Sequence, residues 1–205
     1  LLATGNAGKA REMSEILSGA GDTITLHVRW RQLQEFTGWP EAVEDGRTFL
    51  ENARSKAFHY ARLSGLWTIA DDSGLEVDYL DGAPGVHSSR FAGGEKDDAA
   101  NNQKLLELLT GVPEEERTAR FRCVVAIVDR EGWTYTAEGT CEGIIATEPR
   151  GEGGFGYDPL FFLPEYGKTF AELEPEIKNK ISHRARALDG ALDILSELER
   201  INDGE

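Results

Sequence analysis

Apolar residues along this chain alternate between helical spacing and the short runs typical of strands. Leu1 to Thr4 reads as the end of a strand, followed by a tight loop, Gly5-Asn6-Ala7-Gly8-Lys9. A helix then runs to about Ser18, with Met13, Ile16 and Leu17 on one face. Ile24 to Val28 alternates like a short strand. Thr48 to Leu63 is expected to be a helix, opened by a capping box of Thr48 and Glu51. Trp67 to Ala70 is a short apolar strand that runs into Asp71-Asp72-Ser73-Gly74, and Asp97 to Leu109 is helical. Arg120 to Asp129 and Trp133 to Ile145 form two long strands around a turn at Glu131-Gly132. Leu160 to Leu163 is a further strand, and Arg184 to about Ile201 a final helix carrying Leu188, Leu192, Leu195 and Leu198 on one face. Helices interleaved with strands, plus a central hairpin, give an α/β protein with a mixed sheet.

The 205 residues suffice for one large domain or two small lobes with a self-sufficient core. Against 22 Lys and Arg stand 37 Asp and Glu, a formal net charge of −15, which argues against a nucleic-acid or anionic-membrane surface. An anionic ligand must therefore meet a few local cations or a metal ion. Cys123 and Cys141 are too few for a disulfide framework and lie in no metal-binding spacing, so a reduced, cytoplasmic setting is expected. No apolar run approaches the ~18 residues of a membrane span. The chain opens on Leu1 without a Met, so a few upstream residues are expected; no secretory signal pattern is visible.

Four segments carry candidate chemistry. Thr4-Gly5-Asn6-Ala7-Gly8-Lys9 joins a strand to a helix, where backbone amides, the helix N-terminus and Lys9 suit phosphate. It is not a Walker A loop, and the same residues also describe a plain tight turn with a surface lysine. Asp71-Asp72-Ser73-Gly74 sits at a strand end, where adjacent carboxylates can hold Mg²⁺ or deprotonate a water, or simply form an Asp-rich turn. The long loop from Asp81 to Gly93 after it favours a functional segment.

Gly151, Gly153 and Gly156 spell a dinucleotide fingerprint, but the segment leads into Pro159 and a strand rather than a helix. What remains is a glycine-rich loop offering Phe155 and Tyr157 as platforms for a flat base, or as core residues, the better reading for one of them. Lys178 to Arg186 concentrates cations in an acidic chain, and Ser182 is a candidate N-cap for the last helix. His183 and Arg184 then fall in the first turn, where the helix dipole disfavours cations unless an anion compensates them. The bland alternative is a solvated face paired with Glu172, Glu174 and Glu176. His27, His59 and His87 form no ligand spacing.

In this order, these segments resemble the ITPase family, the RdgB-like dITP/XTP pyrophosphatases that remove non-standard purine nucleotides. The resemblance spans nearly the whole chain and rests on Thr4-Gly5-Asn6 with Gly8-Lys9, Thr48-Phe49-Leu50-Glu51-Asn52-Ala53, Ala70-Asp71-Asp72-Ser73-Gly74-Leu75, Gly153 to Pro159, and Ser182-His183-Arg184. It implies one domain over residues 1–205, an elongated α/β fold with a long mixed sheet and two lobes around one substrate cleft, usually in a homodimer. The implied reaction is Mg²⁺-dependent hydrolysis of a purine nucleoside triphosphate to the monophosphate and pyrophosphate, selective for 6-oxo bases. Asp72 matches the metal ligand and proton acceptor, Ser73 a substrate contact, Thr4, Gly5, Asn6, Ala7, Gly8 and Lys9 the phosphate loop, and Lys56 a phosphate-facing cation. Phe155, Gly156, Tyr157 and Asp158 match the base-bracketing segment, and Lys178, His183 and Arg184 further substrate contacts, the His-Arg pair at the 6-oxo edge. An acidic residue found in some relatives falls on Val43, which leaves Glu44 as the nearest second metal ligand, and Ala185 stands where many relatives carry Gly. A Maf-like pyrophosphatase acting on modified pyrimidines and a catalytically silent nucleotide-binding protein are the competing readings.

Overall fold

In the computed structural model, which describes residues 1–19, 28–94 and 96–203, side-chain caps open the first three helices. Helix α1 (Ala7–Gly19) starts three residues earlier than its sequence suggests, because the Asn6 side chain caps the Lys9 N–H at 3.0 Å. Ala7, Gly8 and Lys9 are thus its first turn rather than loop. Helix α2 (Phe49–Ser64) opens on Thr48, whose Oγ1 accepts from the Glu51 N–H at 3.1 Å, and closes on Gly65 in the left-handed region (φ 65°). The Glu51 carboxylate accepts from the Arg47 N–H at 2.6 Å instead of closing the expected box.

Strand β1 (Thr68–Val77) corrects the reading of Asp71 to Gly74 as the end of a strand: all four lie inside it. Their polarity resembles a turn, yet the carboxylates find distant partners that make an extended, buried course affordable. Helix α3 (Asp98–Leu108) is capped by Asp97, and the long strands β2 (Thr118–Val128) and β3 (Thr134–Ile145) follow as expected. Then come β4 (Phe161–Leu163), a two-residue β5 (Lys168–Thr169), α4 (Pro175–Ile181) and α5 (His183–Asp203). Sequence patterning missed β5 and α4, elements too short to show a period; Pro175 at the first position of α4 is the signal that was there to read. The expected strand from Ile24, and His27, lie outside the described residues.

The five strands form one sheet in chain order, with β3–β4 and β4–β5 antiparallel. Leu2 bridges Ile69 and Gln32 in parallel, so the strand pairing is mixed. Among the described residues no helix is long and apolar enough to cross a membrane. The chain divides into two compact units, and the division falls within β1, β2 and β3.

The first unit comprises Leu1–Asp72, Cys123–Gly139 and His183–Glu205. Its core joins Met13, Ile16 and Leu17 of α1 to Val125 and Ile127 of β2 and to Leu188, Leu192 and Leu195 of α5. Both faces of the inner half of β2 are covered, which is why Cys123 to Val128 is buried without alternation. The second unit comprises Ser73–Arg122 and Thr140–Ser182. Phe121, Phe161 and Phe170 pack together in its core with centroids 4.7–5.7 Å apart, Phe121 stacked on Phe170 and Phe161 tilted against both. Buried Arg117 there donates to the carbonyls of Leu109, Ile145 and Ala146, joining the end of α3 to the end of β3.

A Cβ at Gly139 would lie 2.2 Å from the His183 carbonyl and 2.5 Å from the Ala187 nitrogen, so β3 and α5 approach through a gap that only glycine leaves. Gly139→Ala is expected to lower the stability by about 1–3 kcal/mol, the usual cost of overpacking, measured by chemical denaturation.

Candidate active site

The first unit gathers charge around β1. Thr4 is buried, and its Oγ1 accepts from the Asn6 N–H at 3.3 Å, shaping the entry to α1. Gly5 is exposed, and a Cβ there would meet nothing within 4 Å, so the approach to the α1 N-terminus is open. From the first turn of α1, Lys9 reaches Asp71 Oδ2 at 3.1 Å. From α2, Lys56 Nζ donates to the Asp71 carbonyl at 3.0 Å and pairs with Glu44 at 3.1 Å. From α5, the Arg184 guanidinium meets Asp71 Oδ2 at 3.4 Å and bonds closely to Glu12.

The two neighbouring carboxylates have opposite fates. Burial of Asp71 alone would raise its pKa, but Lys9, Arg184 and Lys56 outweigh that and hold the carboxyl far below the usual range. Asp72 faces α2, where Asn52 Nδ2 donates to its Oδ2 at 3.0 Å. Burial raises the Asp72 pKa, and Lys9, Lys56 and Asn52 only partly offset it. One carboxylate is thereby held as an anion, while its neighbour takes up a proton more readily than an ordinary aspartate. Adjacent titratable groups driven apart in this way make β1 a candidate functional segment.

The second unit holds the other cluster. Lys178 of α4 is buried, and its Nζ lies 2.5 Å from Asp158 Oδ2, with the Phe155 and Phe170 ring centroids 5.2 and 5.4 Å away. The same Asp158 oxygen accepts from the Phe155 N–H at 2.9 Å. A Cβ at Gly154 would collide with that oxygen at 2.0 Å, and the glycine also has φ 74°, so two constraints require it. Tyr157 is the aromatic that joins the core, donating from its hydroxyl to the Ser88 carbonyl at 2.8 Å, whereas Phe155 stays partly exposed. Ser73 follows Asp72 in β1, partly buried.

The structure thus brings Lys9, Glu44, Lys56, Asp71, Asp72 and Arg184 together in one unit, and Phe155, Gly156, Tyr157, Asp158 and Lys178 in the other. The cationic segment is not a solvated face: Lys178, His183 and Arg184 are buried, and only Lys180 and Arg186 are exposed. Lys178 and Arg184 pair with Asp158, Asp71 and Glu12 instead of Glu172, which lies 3.8 Å from Arg150. Ser182 lies between α4 and α5 with extended backbone (φ −67°, ψ 159°). Residue-by-residue reasoning missed Glu12, Asn52 and the structural role of Asp71. Asn52 and Lys56 share one face of α2 by their spacing of four, a signal the sequence carried.

Among the described residues no three His, Cys, Asp or Glu side chains are grouped to hold a metal unaided. Glu44 and Asp72 are hard oxygen donors in the same charged neighbourhood. Lys56 pairs with Glu44, and Asp72 accepts from Asn52, so a cation such as Mg²⁺ held there would draw most of its ligands from water and substrate phosphates.

The family model described as the Ham1 family matches residues 1–194. A dITP/XTP pyrophosphatase of Desulforamulus reducens is 56% identical over 198 residues, covering 97% of this chain and 96% of that one. Another dITP/XTP pyrophosphatase, of Geobacter sulfurreducens, is 52% identical over 188 residues, 92% of each chain. The structure of a HAM1 protein from Coxiella burnetii superposes with a TM-score of 0.83 at 43% identity, covering 96% of this chain and 97% of that one.

Cys123 is wholly buried with its sulfur 3.9 Å from Asp71 Oδ2, and burial together with that charge pushes its pKa up to about 12. At pH 8 roughly one such thiol in ten thousand is ionised. Iodoacetamide at pH 8 is expected to leave Cys123 unmodified in the native protein and to alkylate it only after denaturation, as read by mass spectrometry of its peptide.

Proposed function

The chain belongs to the Ham1 family, and on that premise we propose that it hydrolyses the non-standard purine nucleoside triphosphates ITP, dITP and XTP to the monophosphate and pyrophosphate, with Mg²⁺. The observation that carries the reading is the arrangement on β1: Asp71 meets Lys9 and Arg184 through its carboxylate and Lys56 through its carbonyl, beside Asp72, which accepts from Asn52.

Asp72 serves as the proton acceptor that orients the attacking water, with Asn52 fixing one of its oxygens. Lys9, Lys56 and the open N-terminus of α1 at Thr4 to Gly8 bind the phosphates, the helix end contributing partial positive charge. Glu44 and Asp72 would hold Mg²⁺, which supplies charge neutralisation between the α- and β-phosphates. Phe155 offers its ring to the purine, while Gly156, Tyr157 and the Lys178–Asp158 pair hold that segment in shape. Ser73 is assigned a substrate contact. His183 and Arg184, the latter held by Glu12 and Asp71, are assigned to the 6-oxo edge, as the family resemblance implies. Adenine would present a donor at the edge where a 6-oxo base offers these residues an acceptor. A homodimer in the cytoplasm completes the proposal; its support is the same resemblance.

The test is pyrophosphate release by the purified protein with Mg²⁺ from ITP, dITP, XTP and ATP. The expected kcat/KM for ITP exceeds that for ATP by at least about 100-fold, as a site built around one hydrogen-bonded group allows, and chelation of the metal abolishes turnover. Absence of pyrophosphate from all three 6-oxo substrates overturns the proposal, and ITP binding without product assigns the chain to silent nucleotide binding.

A further inference from the structure

Gly156 sits in the segment assigned to the base, and both polar groups of its backbone are held by one helix. Its N–H donates to Asp98 Oδ2 at 2.8 Å, and its carbonyl accepts from Asn102 Nδ2 at 2.8 Å. Asp98 and Asn102 are four apart on α3 and therefore share a face. Asp97, which accepts from the Ala100 N–H at 3.0 Å, caps the helix. The Asp98 carboxylate is thus not needed for capping.

The helix is itself well anchored. Leu105 is wholly buried in the core of the second unit, and Asn101 bonds both the Ser89 carbonyl and the Ala92 N–H, at 3.2 and 2.7 Å. On the other side of Phe155, the Asp158 carboxylate takes the Phe155 N–H. The backbone of Phe155 is thereby fixed at both ends, by Asp158 at its own nitrogen and by α3 at the next residue. Glycines at 151, 153, 154 and 156 would otherwise leave this loop free to sample many conformations, and ordering it on binding would cost affinity.

We propose that Asp98 and Asn102 are positioning residues for nucleobase recognition: by clamping the Gly156 backbone they pre-set the Phe155 ring against which the purine stacks, without touching the substrate. The inference rests on the assignment of Phe155 to Asp158 as the base-facing segment. Because the proton acceptor and phosphate-facing cations belong to the other cluster, the clamp acts on base affinity and leaves the chemical step alone.

Two isosteric substitutions separate the clamp from a general structural role. Asn102→Asp removes the donor and sets a carboxylate against a carbonyl, whereas Asp98→Asn keeps an acceptor in place. Each is measured for ITP hydrolysis, for inhibition by pyrophosphate as a phosphate-side readout, and for backbone hydrogen exchange over residues 153–157. Asn102→Asp, and equally Asp98→Ala, is expected to raise KM for ITP about tenfold, the scale of one lost hydrogen bond. The kcat and the pyrophosphate inhibition stay near wild type, exchange over the segment quickens, and Asp98→Asn restores most of the loss. An unmoved KM in Asn102→Asp and Asp98→Ala overturns the clamp, as does a KM rise matched by equal weakening of pyrophosphate inhibition. If the wild-type protein itself releases no pyrophosphate from ITP, the reaction assignment fails and this inference with it; wild-type turnover with KM unmoved in the variants overturns the clamp alone.

Discussion

The wholly buried carboxylate of Asp71 is the constraint on which the first unit depends. Lys9 from α1 and Arg184 from α5 converge on its side chain, and Lys56 from α2 takes its carbonyl. Taking one such charge out of water costs several kcal/mol, which only good partners repay, so three helices are tied to β1 by the need to keep them in place. The same requirement explains why cations can occupy the start of α5. Asp71 and Glu12 provide Arg184 with the anions that the helix N-terminus withholds.

Asp72 gains its character from that neighbour. With the cations directed mainly at Asp71, the second carboxyl keeps a raised pKa although Lys9 and Lys56 lie nearby. Chemistry at a triphosphate needs both kinds of group, cations held in a fixed array and a carboxylate that can accept a proton. The second unit repeats the device on a smaller scale. There the buried Lys178–Asp158 pair organises a glycine-rich loop, and the aromatic ring beside it remains partly exposed. Charge that is paired and buried builds the scaffold in both units.

Much of this was legible in the chain. Helix α2 announced itself through Thr48 and Glu51, and β2 through its apolar run to Val128 and the glycine turn that leads into β3. The cationic stretch after Glu176 stood out against the acidic background, and the conflict at His183-Arg184 pointed to a compensating anion. What stayed hidden depends on distant partners. Asp71 and Asp72 resemble a turn locally, and only residues 62 and 113 positions from Asp71, Lys9 and Arg184, make an extended course through them favourable. Lys178 had three nearby glutamates as candidate partners, yet pairs with Asp158, because the loop fold rather than chain proximity sets the distance. Helix α4, with seven residues, is too short for an apolar stripe to emerge.

The division of labour between the two adjacent carboxylates is tested most directly by measuring thermal unfolding and pyrophosphate release from ITP on Asp71→Asn and Asp72→Asn side by side. Loss of the Asp71 anion removes the carboxylate that Lys9 and Arg184 share, and a penalty of about 3–5 kcal/mol would lower the melting temperature by on the order of 10 °C. Asp72→Asn should melt within about 2 °C of wild type, yet lose at least about 100-fold in turnover. An Asp72→Asn protein that turns over normally, or an Asp71→Asn protein as stable as wild type, would contradict the account.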